Sequence, residues 1–127
     1  MSKPELSVVV PAYNEAAHIE GVVTEMENVF DAAGIEYEIL IVNNGSRDDT
    51  EKVIGKLQAR NPRIARLYLE QNQQYGGGIL AGLEKARGST IGWAHADGQA
   101  DPEDIVRIYR DMKAKGYELG KAVRVVR

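Results

Sequence analysis

The stretch LSVVVPAYNE, Leu6 to Glu15, decides the architecture. Leu6 to Val10 is an unbroken apolar run rich in Val, set between Pro4 and Pro11. A strand with one wet face would alternate apolar and polar residues. A run without alternation reads as a strand covered on both faces, as in a parallel sheet. Beyond the turn PAYNE, residues Ile19, Val22, Val23, Met26, Val29 and Phe30 recur at helical spacing, and Gly34 ends them. The chain therefore opens strand, turn, helix, with Asn14 as the candidate cap and Glu15 in the first turn.

The same alternation continues. Glu38 to Asn43 (EILIVN) reads as a second buried strand, and GSRDDT opens a helix carrying Val53, Ile54 and Leu57 that ends before Pro62. Ile64 to Leu69 is a third strand. A polar loop, EQNQQY, leads through Gly76-Gly77-Gly78 into a helix with Ile79, Leu80, Leu83 and Ala86. Thr90 to His95 is a fourth strand. Asp101 caps the next helix, with Pro102 at its first position and acids in its first turn; Ile105, Ile108, Tyr109 and Met112 form its apolar stripe. The final segment, ELGKAVRVVR, reads as a fifth strand. This pattern predicts an α/β fold, a mostly parallel sheet of about five strands with helices on both faces, as one domain over residues 1–127. Ligands of such sheets sit beyond the carboxyl ends of the strands. PAYNE, NNGSRDD and HADGQ all lie at such ends.

Composition narrows the chemistry. Sixteen basic against nineteen acidic side chains give a net charge of -3, too mild for a nucleic-acid binder. Without cysteine there are no disulfides, thiolate ligands or thiol nucleophiles. No apolar run approaches the roughly 18 residues of a membrane span, and the first residues lack a signal-peptide core. The expected location is cytoplasmic. A weakly acidic protein that binds a phosphorylated ligand needs local help from backbone dipoles, a cation or a few placed basic groups.

Each motif has a plain reading beside a chemical one. In NNGSRDDT, Asn44-Gly45 supply a turn and Ser46 or Asp48 caps a helix; alternatively an amide at a strand end pairs with a nucleobase edge. YGGGILAG matches the dinucleotide fingerprint through Gly76, Gly78 and Ala81, with Asp97 as the ribose acid. Six residues separate Leu69 from Gly76, however, where the fingerprint requires its first glycine directly after the strand. A glycine-rich helix start packed closely on neighbouring backbone fits better. In HADGQ, Asp101 already serves as cap, so Asp97 is not needed for that task. Asp97 and Gln99 offer oxygen ligands from one short loop, suited to Mg²⁺ or Mn²⁺ shared with substrate phosphates. His95 is a lesser candidate ligand.

Taken in order, SVVVPAYNE, EILIVNNGSRDDT, GLEKARG and HADGQADPED resemble glycosyltransferase family 2, which has the GT-A fold, and within it the polyprenyl-phosphate hexosyltransferases. The resemblance runs from about Ser7 to Arg127. It implies a site for a UDP- or GDP-linked sugar. Pro11, Tyr13 and Glu15 would line the nucleoside pocket, with Asn43, Asn44 and Ser46 beside them. Asp48 and Thr50 match the tail of that motif. Asp97 matches the second acid of the D-x-D metal motif, with Gln99 as a further ligand.

This sequence departs from the family pattern at three points. Asn43 stands where the family has Asp, which leaves the base open, and His95 replaces the first acid of D-x-D, which weakens the metal site. The chain also ends where relatives continue into an acceptor-binding half that carries the catalytic base; no base is found here. The expected reaction is inverting transfer of a hexose. A lipid phosphate at a membrane surface is one acceptor, met by the basic tail from Arg107 to Arg127 on a protein peripheral to the membrane. A homodimer through the last strand is a further expectation. The alternatives are a nucleotide-binding module without turnover and a dinucleotide-binding oxidoreductase fragment.

Overall fold

The computed structural model describes residues 3–97, 101–115 and, for the backbone, 122–124. Strands and helices alternate along the chain: β1 (Leu6–Ala12), α1 (Ile19–Ala32), β2 (Tyr37–Asn44), α2 (Thr50–Arg60), β3 (Ile64–Leu69), α3 (Gln74–Lys85), β4 (Thr90–Trp93), α4 (Pro102–Ala114) and β5 (Ala122–Arg124). The first four strands form a parallel sheet, and the three residues of β5 extend it, in the order β3-β2-β1-β4-β5.

β1 lies at the centre, and all seven of its residues are buried. Its side chains divide between two cores. Val8 and Val10, with Ile39 and Ile41 of β2, face Val23, Met26 and Phe30 of α1, Ile54 and Leu57 of α2, and Ile105 and Tyr109 of α4. Val9, Leu40 and Val42 point the other way, towards Leu83 and Ala86 near the end of α3. Three helices thus cover one face and α3 the other, which is why the central strands read as continuous apolar runs.

The strand order reverses direction at β1. The chain steps from β1 to β2 to β3 on one side, then crosses back to place β4 on the other. Such a switch point leaves a crevice at the carboxyl ends of the two diverging strands. Here the register pairs Val9 with Trp93, and the Ala94 N–H donates to the Val9 carbonyl at 2.9 Å. The chain after β1 and the chain after β4 therefore leave the sheet side by side.

Two local expectations need correction. Asn14 does not cap α1: the helix starts at Ile19, with His18 at its N-cap and no side-chain bond there. Asn14 instead takes a left-handed backbone, φ 54°, and its side chain is used elsewhere. β4 ends at Trp93, so His95 lies beyond the strand. Asp101 caps α4 as expected, accepting the Glu103 N–H at 2.9 Å.

Candidate functional site

The loops after β1 and β2 are laced together. Asn14 N–H donates to Ser46 Oγ at 3.0 Å, and Asn14 Oδ1 accepts the Arg47 N–H at 2.8 Å. Glu15 N–H donates to Thr50 Oγ1 at 3.0 Å and Ala16 N–H to Asp48 Oδ2 at 3.3 Å. Thr50 in turn gives both its hydroxyl and, at 2.9 Å, its backbone N–H to Asp48 Oδ1. The Thr50 hydroxyl, followed by backbone donors that include Ala16, holds the Asp48 carboxyl below its ordinary pKa. These bonds join the two turns into one rim.

That rim borders a cleft of about 560 Å³. The first four strands all contribute to it at their carboxyl ends: Pro11 in β1 with Tyr13 and Glu15 after it, Asn44 at the end of β2, Asn72 and Gln74 after β3, and His95 and Asp97 after β4. Tyr13 is 45% exposed and lines this cleft.

Not every residue singled out from the sequence reaches this wall. Asn43 is fully buried behind it. Its Oδ1 accepts the Ser46 N–H at 3.1 Å and its Nδ2 donates to Glu51 Oε2 at 2.5 Å, so both ends of the amide are engaged internally. Ser46 belongs to the lacing. Gln99 lies outside the described residues. Two polar lining residues went unrecognised in the sequence, Asn72 in the loop after β3 and Gln74 at the start of α3. The signal was a long polar loop at a strand end, unremarkable until the loop is seen folded onto Asn44.

Among the described residues, the cleft's charged lining is Glu15 and Asp97, with His95 the one imidazole and no Lys or Arg. Among the described residues, no group of three or more His, Asp or Glu side chains is placed to hold a metal. Asp97 with His95 is therefore no all-protein cage. One carboxylate does fit the way Mg²⁺ and Mn²⁺ are commonly held, by one or two protein carboxylates with substrate phosphates completing the shell.

The glycine run has another use than cradling a pyrophosphate. A Cβ on Gly78 would come within 2.9 Å of Asn44 Nδ2, and one on Gly82 would collide with Val9 Cγ1 and lie 2.9 Å from Val42 Cγ2. These glycines let α3 lie close against β1 and β2.

Comparison with known proteins agrees with this geometry. The profile of Glycosyl transferase family 2 matches residues 7–126. An uncharacterized glycosyltransferase of Bacillus subtilis (strain 168), YkcC, is 33% identical over 97% of this chain and 38% of its own length. The undecaprenyl-phosphate 4-deoxy-4-formamido-L-arabinose transferase of Pseudomonas aeruginosa (strain LESB58) is 32% identical over 96% of this chain and 36% of its own. The chain thus spans little more than a third of the length of these curated relatives. Among solved structures, S. aureus TarS 1-349 in complex with UDP-GlcNAc superposes with a TM-score of 0.72, at 21% identity, over 87% of this chain and 31% of that one. The mannosyltransferase PcManGT from Pyrobaculum calidifontis, in complex with GDP-Man and Mn²⁺, gives 0.65 at 22% identity, over 76% and 28%. The shared fold is GT-A. With the family profile matching nearly its whole length, this chain belongs to glycosyl transferase family 2.

Proposed function

We propose that the cleft binds a nucleoside-diphosphate sugar together with Mg²⁺ or Mn²⁺, and that the chain is the donor-binding domain of a hexosyltransferase. The observation that carries this reading is the convergence of Pro11, Tyr13, Glu15, Asn44, His95 and Asp97 from three strand ends on one cleft at the switch point of the sheet. Tyr13 and Pro11 offer flat apolar surface to a nucleoside. Asp97, with His95 beside it, is the group that would hold the ion, and Gln99 is a further proposed ligand. Bound there, a hard divalent ion supplies the positive charge that offsets the diphosphate, which a cleft with two carboxylates in its lining otherwise lacks.

In the transfer proposed, an acceptor oxygen bonds the anomeric carbon as the bond from that carbon to the diphosphate oxygen breaks. The nucleoside diphosphate leaves and configuration inverts. An acceptor that is a lipid phosphate arrives already as an anion and needs no general base. The naming of relatives as undecaprenyl-phosphate transferases supports that acceptor class.

Calorimetric titration with UDP, GDP and CDP, each with and without Mn²⁺, tests the reading. One of them is expected to bind in a metal-dependent manner, and Asp97→Ala to weaken that binding by about tenfold or more. Metal-independent binding unchanged by Asp97→Ala would remove Asp97 from the site.

A further inference from the structure

Gln74, the first residue of α3, has a φ of 65°. Glycine adopts that left-handed conformation freely and Asn or Asp tolerate it, whereas Gln does so only under constraint. The constraint is visible on both sides of the residue. Its N–H donates to Asn72 Oδ1 at 2.8 Å, and its carbonyl accepts from Asn44 Nδ2 at 2.8 Å. Asn44 also takes the Gln73 N–H on its Oδ1 at 2.9 Å, and its own carbonyl accepts from Asn72 Nδ2 at 3.1 Å.

One carboxamide thus binds an N–H and a C=O of two consecutive residues. A carboxylate at position 44 could accept the first but could not donate to the second. The approach is made possible by two glycines. A Cβ on Gly45 would lie 2.5 Å from Asn72 N, and one on Gly78 would lie 2.9 Å from Asn44 Nδ2.

Backbone strain held this firmly persists where the surroundings over-determine it, and it concentrates at ligand sites. Gln74 and Asn72 both line the cleft, and Gln74 is exposed there. With Glu15 and Asp97 as its acids and no Lys or Arg in its lining among the described residues, the cleft offers neutral amides to the uncharged hydrogen-bonding parts of a ligand, a base edge or a sugar hydroxyl.

We infer that Gln74 contacts the donor, and that Asn44 is a positioning residue acting through it by holding Gln74 in its left-handed conformation. The inference rests on the cleft being the donor site. It goes further in assigning recognition to a loop that the sequence motifs do not cover.

The test compares Gln74→Gly, Gln74→Asn and Asn44→Asp in the full chain. Thermal unfolding is read beside calorimetry with the nucleoside diphosphate that the wild type binds and with its sugar conjugate. Gln74→Gly relieves the strain and raises the unfolding midpoint, yet weakens binding by about tenfold, the worth of one good hydrogen bond. Gln74→Asn keeps an amide on a backbone that Asn tolerates and restores part of that loss. Asn44→Asp weakens binding in the wild-type background and adds little in the Gln74→Gly background. Loss with the diphosphate itself places the contact at the base; loss confined to the conjugate places it at the sugar.

Wild-type binding with Gln74→Gly equally tight would overturn the inference and leave the donor site standing. A full additional loss from Asn44→Asp in the Gln74→Gly background would overturn the positioning role of Asn44. No nucleotide binding by the wild type would overturn both the reading of the cleft and this inference. Should Asn44→Asp fail to fold, the two Gln74 variants still decide the contact.

Discussion

Asp48 accepts hydrogen bonds from the Thr50 hydroxyl, the Thr50 N–H and the Ala16 N–H, yet the residue stays largely open to water. Its carboxyl is held below the ordinary value because all three donors favour the charged form, the Thr50 hydroxyl most. A carboxyl with a lowered folded-state pKa contributes stability above its unfolded value of about 3.9, and that contribution is lost as pH falls through the folded value. Asp48→Asn removes one acceptor at neutral pH. It is expected to lower the unfolding midpoint by about 2–4 °C at pH 6, a modest effect because the group is exposed. The gap to wild type should narrow steadily as the scans move below pH 4. A gap that is constant with pH would mean that the charge on Asp48 plays no part in the lacing.

The sequence indicated which turns matter, and the reason was positional: motifs at carboxyl ends of strands in a parallel sheet gather at one edge. It was silent on which way each side chain turns. Asn43 and Asn44 are neighbours, and in a strand neighbours face opposite sides. Asn43 turns inward to Glu51, in the first turn of α2, while Asn44 turns towards the cleft. An aspartate at position 43 would place a second carboxylate against Glu51, so this chain's amide and its acid partner belong together. Residues eight apart in sequence, one on a strand and one on a helix, show that pairing only once the turn between them is folded.

At the scale of elements, α3 lies on its face of the sheet because Gly82 has no side chain. The same substitution at two helical glycines should therefore have opposite signs. Gly82→Ala gains helix propensity but drives a methyl group into Val9 and Val42, β-branched residues on the two innermost strands that have no room to yield. Overpacking outweighs propensity, and a net loss of about 1–2 kcal/mol is expected. Gly21 is exposed on α1, and a methyl group added there would meet nothing within 4 Å, so Gly21→Ala should gain about 0.5–1 kcal/mol. Urea denaturation of both variants checks the pair. Equal stabilisation would mean that α3 can shift outward on the sheet at little cost. The dinucleotide-like spacing of Gly76, Gly78 and Ala81 is explained at this scale as well: Gly78 makes room for Asn44, so a pattern that resembles phosphate binding records helix-to-sheet packing.

For the whole molecule, the question is how a protein of net charge -3 would approach an anionic acceptor. Of the basic stripe from Arg107 to Arg127 that reads from the sequence as a membrane contact, the four residues on α4 and its C-cap each have a partner at home, while the side chains of Lys121, Arg124 and Arg127 lie outside the described residues. Arg107 pairs with Asp104 at 3.5 Å, Lys113 with Glu5 at 3.3 Å and Lys115 with Asp111 at 3.1 Å, while Arg110 donates to the Ala33 carbonyl at 3.1 Å. Glu5 also accepts the Tyr109 hydroxyl at 2.8 Å, binding the start of β1 to α4 and helping to push the Tyr109 hydroxyl pKa, already raised by burial, up to about 12. Exposed pairs of this kind are each weak. Together they still leave α4 with little uncompensated charge beyond a Debye length of about 8 Å at 0.15 M salt. No helix among the described residues is long and apolar enough to cross a membrane. α4 by itself would then add little general attraction to an anionic bilayer. Cosedimentation with vesicles rich in anionic lipid should accordingly be weak at low salt and lost by about 0.15 M salt. Binding that survives that salt and falls on Arg107→Ala or Arg110→Ala would show that the α4 pairs open at a surface, and would return the stripe to the membrane.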